Sequence, residues 1–100
     1  MTEPSIELSG AARVKWDALA PVVEARPRRK ATDLDDLAAY CAAFGRWAAA
    51  EEWLSDPSRG AVLTIRDDKG NVKSHGVAPQ VLLAERSAKE MARLAKALRL

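Results

Sequence analysis

Apolar residues recur at intervals of three and four positions along residues 8–25, which is the spacing of a helix with one buried face. Ser9 stands just before the first turn and is a preferred N-cap residue. Trp16 is the largest apolar side chain of this stretch, and we expect it to make the main core contact. The apolar positions with helical spacing are Val14 or Trp16, Leu19, Val22 and Val23.

Pro21 lies inside this first helical stretch. Proline has no amide hydrogen, and its ring clashes with the carbonyl group four residues earlier. We therefore expect the first helix to kink, or to break into two pieces, near Ala18. Residues 26–30 follow and contain four cations and Pro27, so they predict an exposed, extended linker.

Residues 32–54 carry the strongest helix signals in the chain. Thr32 is the predicted N-cap, and three aspartates follow in the first turn, where the positive end of the helix dipole favours anions. The apolar residues cover an arc wider than a surface helix needs, so we expect this helix to contact more than one neighbour. Gly45 in its middle indicates either the close approach of another backbone or simple tolerance of glycine.

The apolar period changes from helical to alternating before the last helix. Residues 61–66 include β-branched side chains, residues 67–71 have turn chemistry, and residues 72–75 can return as a second strand. This pattern predicts a small β-hairpin. A lone two-stranded ribbon is marginally stable in water, so we expect it to lie on a helix or to pair with a neighbouring chain.

Residues 78–100 predict the last helix, with Pro79 in its first turn. One side carries a seam of mostly small residues at heptad-like spacing, and cations lie roughly opposite. The seam consists of Ala84, Ala88, Met91, Ala95 and Leu98. The cations, called the basic stripe below, are Arg86, Lys89, Arg93 and Lys96.

These elements predict a mainly α fold with three principal helices, the first kinked or broken, and a small β-hairpin before the last. A chain of 100 residues makes one domain over residues 1–100, with residues 1–8 as a flexible N-terminus. Alanine supplies 20 residues and aromatic residues only 5%, so bulky core side chains are few. We therefore expect the chain to form oligomers.

Charge is segregated along the chain rather than large in sum. The net charge is +2, but residues 26–31 carry +4 and residues 32–60 carry −4. The basic linker, defined as Arg26, Arg28, Arg29 and Lys30, and the basic stripe both have the charge density that phosphate binding needs. Alternatively, the linker is a solvated connection and the stripe pairs with an acidic helix. No pattern for a base-reading helix is present, which argues against sequence-specific reading.

Catalytic and metal-binding signatures are absent from the sequence. His75 is the single histidine, and there is no phosphate loop, dinucleotide fingerprint or zinc spacing. We therefore expect no enzyme activity, no cofactor and no metal. The single cysteine, Cys41, lies in an apolar helical run and is interpreted as a small buried residue. No membrane span or export signal is predicted, so the protein is expected to be cytoplasmic.

The order of residues over the whole chain is specific enough to compare with known families. A helix with W-D-A-L-A-P precedes T-D-L-D-D-L-A-A-Y-C-A-A-F-G-R-W-A-A-A-E-E-W-L, and a helix ending in L-A-K-A-L-R-L comes last. The most specific part runs from Asp36-Leu37 to Trp47 and includes Tyr40-Cys41. This pattern covers about residues 8–100 and resembles the phage terminase small subunit family.

The resemblance implies a non-catalytic DNA-packaging factor. Such proteins assemble into rings, engage the duplex DNA to be packaged and deliver it to the large terminase subunit, whose ATPase and nuclease do the chemistry. The implied partners are double-stranded DNA bound with weak sequence preference, the large subunit and further copies of the chain. A phage, a prophage or a gene transfer agent would each fit as the origin.

The resemblance also implies roles for particular residues. Phosphate contacts are expected first from the basic linker and second from the basic stripe. Relatives commonly carry a further basic N-terminal segment, for which the linker is expected to compensate. Contacts between copies are expected at Tyr40, Phe44, Trp47, Met91 and Leu98. The alternative hypothesis is a small helical adaptor that binds proteins and no DNA.

Overall fold

A computed structural model of the chain describes residues 3–56, 62–66 and 72–100, with the side chains of 3–56 and 78–100. The elements in chain order are α1 (Gly10–Glu24), α2 (Asp33–Leu54), β1 (Val62–Arg66), β2 (Val72–Val77) and α3 (Pro79–Leu98). The helix α2 is central, because it packs against both α1 and α3. The prediction that the second helix contacts more than one neighbour is therefore confirmed.

The core lies where the three helices meet. Its fully buried large side chains are Trp16, Val23, Leu37, Cys41 and Leu98. Trp16 from α1 is the largest of them, as predicted from its place in the sequence. Every helix thus contributes to one core.

The first helix is not broken at its proline. α1 runs without interruption from Gly10 to Glu24 and includes Pro21, which is exposed. The amide of Ala25 donates to the carbonyl oxygen of Pro21 at 3.1 Å, so helical bonding resumes after the proline. Pro21 removes a single donor near the end of the helix, where few bonds remain to be disturbed. Of the two predicted alternatives, a kink or a break near Ala18, the break is therefore wrong.

The outward face of α1 also differs from the prediction. Val14 is 70% exposed and Val22 is 54% exposed, whereas Ala12 and Ala20 are buried. The buried face of α1 follows Trp16 and Val23 and passes through alanines. The small alanines are inside because they let α1 approach α2 closely.

Gly45 lies where α1 and α2 approach each other closely. A Cβ atom added at Gly45 would lie 2.9 Å from the Cβ atom of Ala12. Real Cβ atoms essentially never come so close, so glycine is required unless α1 moves. Of the two interpretations of Gly45 from the sequence, close approach is confirmed.

The predicted fold class is wrong in counting a β-hairpin as part of the helical fold. The side chains described in residues 3–56 and 78–100 belong to a body of three helices that contains no strand. β1 and β2 pair antiparallel, with Val62 opposite Val77 and a register irregularity after Ile65, and their substantial contacts are with each other. The predicted turn at 67–71 lies outside the described residues.

The buried face of α3 is shifted from the predicted seam. Its buried residues are Ala84, Ser87, Leu94 and Leu98. Ala88, a predicted seam residue, is exposed. Leu94, rather than Ala88, is buried in the core, because burying leucine removes more apolar surface from water than burying alanine does. The predicted seam is therefore wrong at Ala88.

Candidate nucleic-acid interface

The basic linker is attached to the C-terminal end of α3. The Arg26 side chain is half-buried, and its Nη1 donates to the main-chain carbonyl oxygen of Leu98. The last carbonyl groups of a helix have no donors within the helix, so a guanidinium that reaches them caps the helix end. Arg26 therefore holds the linker and α3 together.

The end of α3 turns back on itself through a left-handed residue. Arg99 has φ 57°, its amide donates to the carbonyl oxygen of Lys96 at 3.2 Å, and the Leu100 amide donates to that of Ala95 at 2.9 Å. This pair of bonds is a Schellman motif, in which glycine usually occupies the left-handed position. The motif places Arg99 beside Arg26, Pro27 and Arg28 around one open cleft.

Arg99 is thus a basic residue that the sequence analysis missed. A signal for it was present, because Arg99 follows Lys96 at the three-residue step of the basic stripe. The left-handed turn brings Arg99 to the linker. It could not be predicted from the sequence, because glycine rather than arginine usually occupies this position.

The remaining linker residues are exposed. Arg28, Arg29 and Lys30 reach solvent, and the linker ends where the Lys30 amide donates to Oδ2 of the buried Asp33 at 2.9 Å. Thr32 has a near-helical backbone and no side-chain capping bond, so the predicted hydroxyl cap is wrong. The carboxylate of Asp33 instead fixes the exit of the linker into α2.

The basic stripe lies on the solvent side of α3, and all four of its side chains are exposed. Arg93 forms an ion pair of 2.5 Å with Glu90, one turn earlier in the same helix. The hydrogen bond from Arg93 lowers the pKa of the Glu90 carboxyl, and the same bond raises the pKa of Arg93. Among the described residues, the stripe has no ion pair with α2.

The structure brings the basic linker to the end of α3 at which the basic stripe ends. Lys96 lies in the last turn of α3, next to the point where Arg26 reaches Leu98. Arg86 lies ten residues earlier, about 15 Å along the helix at 1.5 Å per residue. The linker, Lys96 and Arg99 thus share one end of the helical body, and Arg86 does not. Asp35 and Asp36, in the first turn of α2, follow the linker and partly offset its charge.

Four of the five predicted interface residues are half-buried. Tyr40 packs against the core, and Phe44 lies beside Trp47 with their ring centroids 6.0 Å apart. The Lys15 ammonium lies 4.4 Å from the centroid of the Phe44 ring, a cation–π contact. Met91 is half-buried as well. Leu98 is only 1% exposed, so its burial within the subunit accounts for its apolar character without a second copy.

Cys41 is a buried core residue, as the sequence analysis expected. Burial raises the pKa of its thiol from 9.0 to about 11, because the thiolate would lose its water shell. Lys15 lowers the pKa by a smaller amount. The thiol is therefore protonated at neutral pH and is not available as a nucleophile.

Two further features concern the described residues alone. Their His, Cys, Asp and Glu side chains do not cluster in threes that could hold a metal ion. Within the same part of the chain, none of the helices has the length and apolar character that a membrane span needs. His75 has no described side chain.

Comparison with known proteins gives one family. The family model described as phage terminase, small subunit, matches residues 12–100. No curated protein and no solved structure matches the chain. The matched range contains all three helices except the first two residues of α1, and it contains both basic clusters.

Proposed function

The chain belongs to the phage terminase small subunit family, and from this premise we propose that it is a DNA-packaging factor that binds duplex DNA through its phosphates. The family is generally non-catalytic, and its partners are in general DNA and the large terminase subunit. In this proposal the chain forms a homo-oligomeric ring in the host cytoplasm. It engages DNA with weak sequence preference and recruits or regulates the large subunit, which supplies the ATPase and nuclease.

The observation that supports this proposal best is the convergence of cations at the end of α3. Arg26 ties the linker to Leu98, and Arg28 and Arg99 line the same cleft. Phosphate groups of a duplex lie a few ångströms apart, so a cluster of cations on one surface can neutralise several of them at once. The proposed contacts are Arg28, Arg29, Lys30, Lys96 and Arg99, with the rest of the basic stripe, Arg86, Lys89 and Arg93, as a second set.

A salt series on the binding of a random-sequence duplex tests the DNA site. Replacing Arg28, Arg29 and Lys30 together by glutamine should weaken binding and reduce the slope of log affinity against log salt by about 3. Fluorescence anisotropy between about 50 and 200 mM salt measures both quantities. The matched control is Arg13→Gln, because Arg13 pairs with Glu3 and Asp17 at the other end of α1.

The result that contradicts the site is a variant that binds like the unmodified protein with an unchanged slope. Sequence preference is tested in the same assay with duplexes of different composition. Equal affinities support binding through phosphates alone. A preference larger than about tenfold would mean that base edges are read as well.

The second candidate function is a helical adaptor that binds proteins and no DNA. The exposed apolar residues of α1 and α3, such as Val14, Leu82 and Leu83, favour it. A gel-shift assay at about 50 mM salt separates the two functions, since phosphate binding is strongest at low salt. No shift at that salt concentration would favour the adaptor.

A further inference from the structure

Arg26 is held by two different helices, one at its main chain and the other at its side chain. Its amide donates to the carbonyl oxygen of Val23 in α1 at 3.2 Å. Its half-buried guanidinium donates to the carbonyl oxygen of Leu98 in α3. Val23 and Leu98 both belong to the core. Arg26 therefore joins the ends of α1 and α3 through two residues that the core fixes in place.

The cleft beside Arg26 is lined by two further arginines, Arg28 and Arg99, and both are exposed. Within the described part of the chain, neither of these two side chains forms an ion pair or a hydrogen bond. Arg28 belongs to the linker and Arg99 to the turn that follows α3. Two unpaired cations from distant segments thus line one cleft, and Arg26 connects the segments that carry them.

Arg99 occupies a backbone position at which glycine is the usual residue. Its φ of 57° lies in the left-handed region, and no other non-glycine residue in the described part of the chain has a positive φ. Glycine adopts this conformation without steric cost, whereas a residue with a Cβ atom does not. Strained backbone positions cluster at functional sites, so an arginine here indicates a role for its side chain.

We propose that Arg26 is a positioning residue for DNA binding, which contacts no phosphate itself and holds Arg28 and Arg99 beside one cleft that takes a phosphodiester of the duplex. This inference rests on the proposed function and deepens it. A cleft that is assembled in advance loses little conformational freedom when the DNA binds. Without the bond to Leu98, the linker separates from the end of α3 in part of the molecules, and only the remaining fraction binds at full affinity.

A salt series separates positioning from direct phosphate contact. Arg26→Gln should weaken the binding of a random-sequence duplex about fivefold at about 50 mM salt, because fewer molecules have an assembled cleft. It should leave the slope of log affinity against log salt unchanged. Arg99→Gln should weaken binding and also reduce this slope by about 1, since a phosphate contact is lost. The matched control, Arg46→Gln, removes an exposed arginine of α2 and should change neither quantity.

A double-mutant cycle separates positioning from a general loss of structure. If Arg26 acts by holding Arg99 beside the linker, Arg26→Gln should cost less than about twofold in affinity once Arg99 is glutamine. Damage elsewhere in the subunit would instead reduce the affinity by the same factor in both backgrounds. Equal costs would therefore overturn the proposal. Circular dichroism checks that each variant is folded.

Hydrogen exchange in the unmodified protein tests the same coupling without any variant. A ligand that binds only the assembled cleft must stabilise it. Saturating duplex should therefore slow exchange at the amides of Arg99 and Leu100, which donate to the last turn of α3. Exchange that does not change on DNA binding would overturn the proposal.

The outcomes also distinguish this inference from the function on which it rests. An unmodified protein that binds no duplex at about 50 mM salt would refute the proposed function. A protein that binds duplex, but whose slope falls by about 1 in Arg26→Gln, would make Arg26 a phosphate contact. That result overturns the positioning role and leaves the DNA-packaging function standing.

Discussion

Gly45 shows how one missing methyl group sets the distance between two helices. With the Cβ atom of Ala12 2.9 Å from where a Gly45 Cβ would lie, α1 cannot keep its place if Gly45 becomes alanine. Gly45→Ala gains up to about 1 kcal/mol of helix propensity. The free-energy cost of overpacking against Ala12 is expected to exceed this gain by about 1–2 kcal/mol, so that the variant unfolds at a lower urea concentration.

A double-mutant cycle separates the clash from other effects. Ala12→Gly removes the methyl group that Gly45→Ala meets, so the double variant should be less destabilised than the sum of the two single variants. Urea titrations followed by circular dichroism at 222 nm give the four free energies of unfolding. Strictly additive values would mean that α1 and α2 move apart freely at this point.

Cys41 predicts a stability that falls at alkaline pH. Its pKa is about 11 when the protein is folded, against 9.0 for the unshifted thiol. Between these values the unfolded chain loses the proton more readily, so the contribution of the group is complete below pH 9 and declines as the pH rises to 11. Free energies of unfolding at pH 8, 9 and 10 measure the decline. A Cys41→Ala variant is the control, and an equal decline in it would assign the effect to other groups.

The thiol also reports burial directly. Since it is protonated and covered at neutral pH, a thiol reagent should label Cys41 slowly in the folded protein and rapidly in urea. Comparable rates in both conditions would contradict the core position of Cys41.

At the scale of elements, we expect Arg26 to contribute more by stabilising the last turn of α3 than by its charge. Its bond to the Leu98 carbonyl is charge-assisted, and its loss in Arg26→Gln should loosen the last turn of α3. Hydrogen exchange at the amides of Arg99 and Leu100 should accelerate by about tenfold. Arg28→Gln, an exposed change in the same linker, should leave those amides as they are. Equal exchange rates in both variants would mean that the bond from Arg26 to Leu98 does not stabilise the last turn of α3.

The bounds of the helices could be predicted closely, and their buried faces only in part. The start of α2 at Asp33 follows from the aspartates of its first turn, which mark the helix end whatever the surroundings. Val14 and Val22, by contrast, are apolar residues on the surface, and their residue type alone does not show whether they lie in the core or in solvent. Which face of α1 is buried depends on the close fit of Ala12 against Gly45, a contact between residues far apart in the sequence.

The candidate site was predictable in its residue types and not in its assembly. The basic linker and the basic stripe are visible as runs of cations, but the position of the linker at the end of α3 depends on Leu98 being in the core. With Leu98 buried, the end of α3 lies beside the linker, and the left-handed Arg99 joins Arg28. Leu98, a predicted interface residue, thus lies in the core next to the linker.

For the molecule as a whole, the proposed self-association makes stability depend on protein concentration. Folded chains that bind each other are stabilised by mass action, so the melting temperature should rise by about 4 °C for each tenfold increase in concentration. Scanning calorimetry from 10 to 1,000 μM measures this slope, with those concentrations on the order of the range where weak dimers form. A melting temperature that stays the same over this range would contradict self-association at these concentrations.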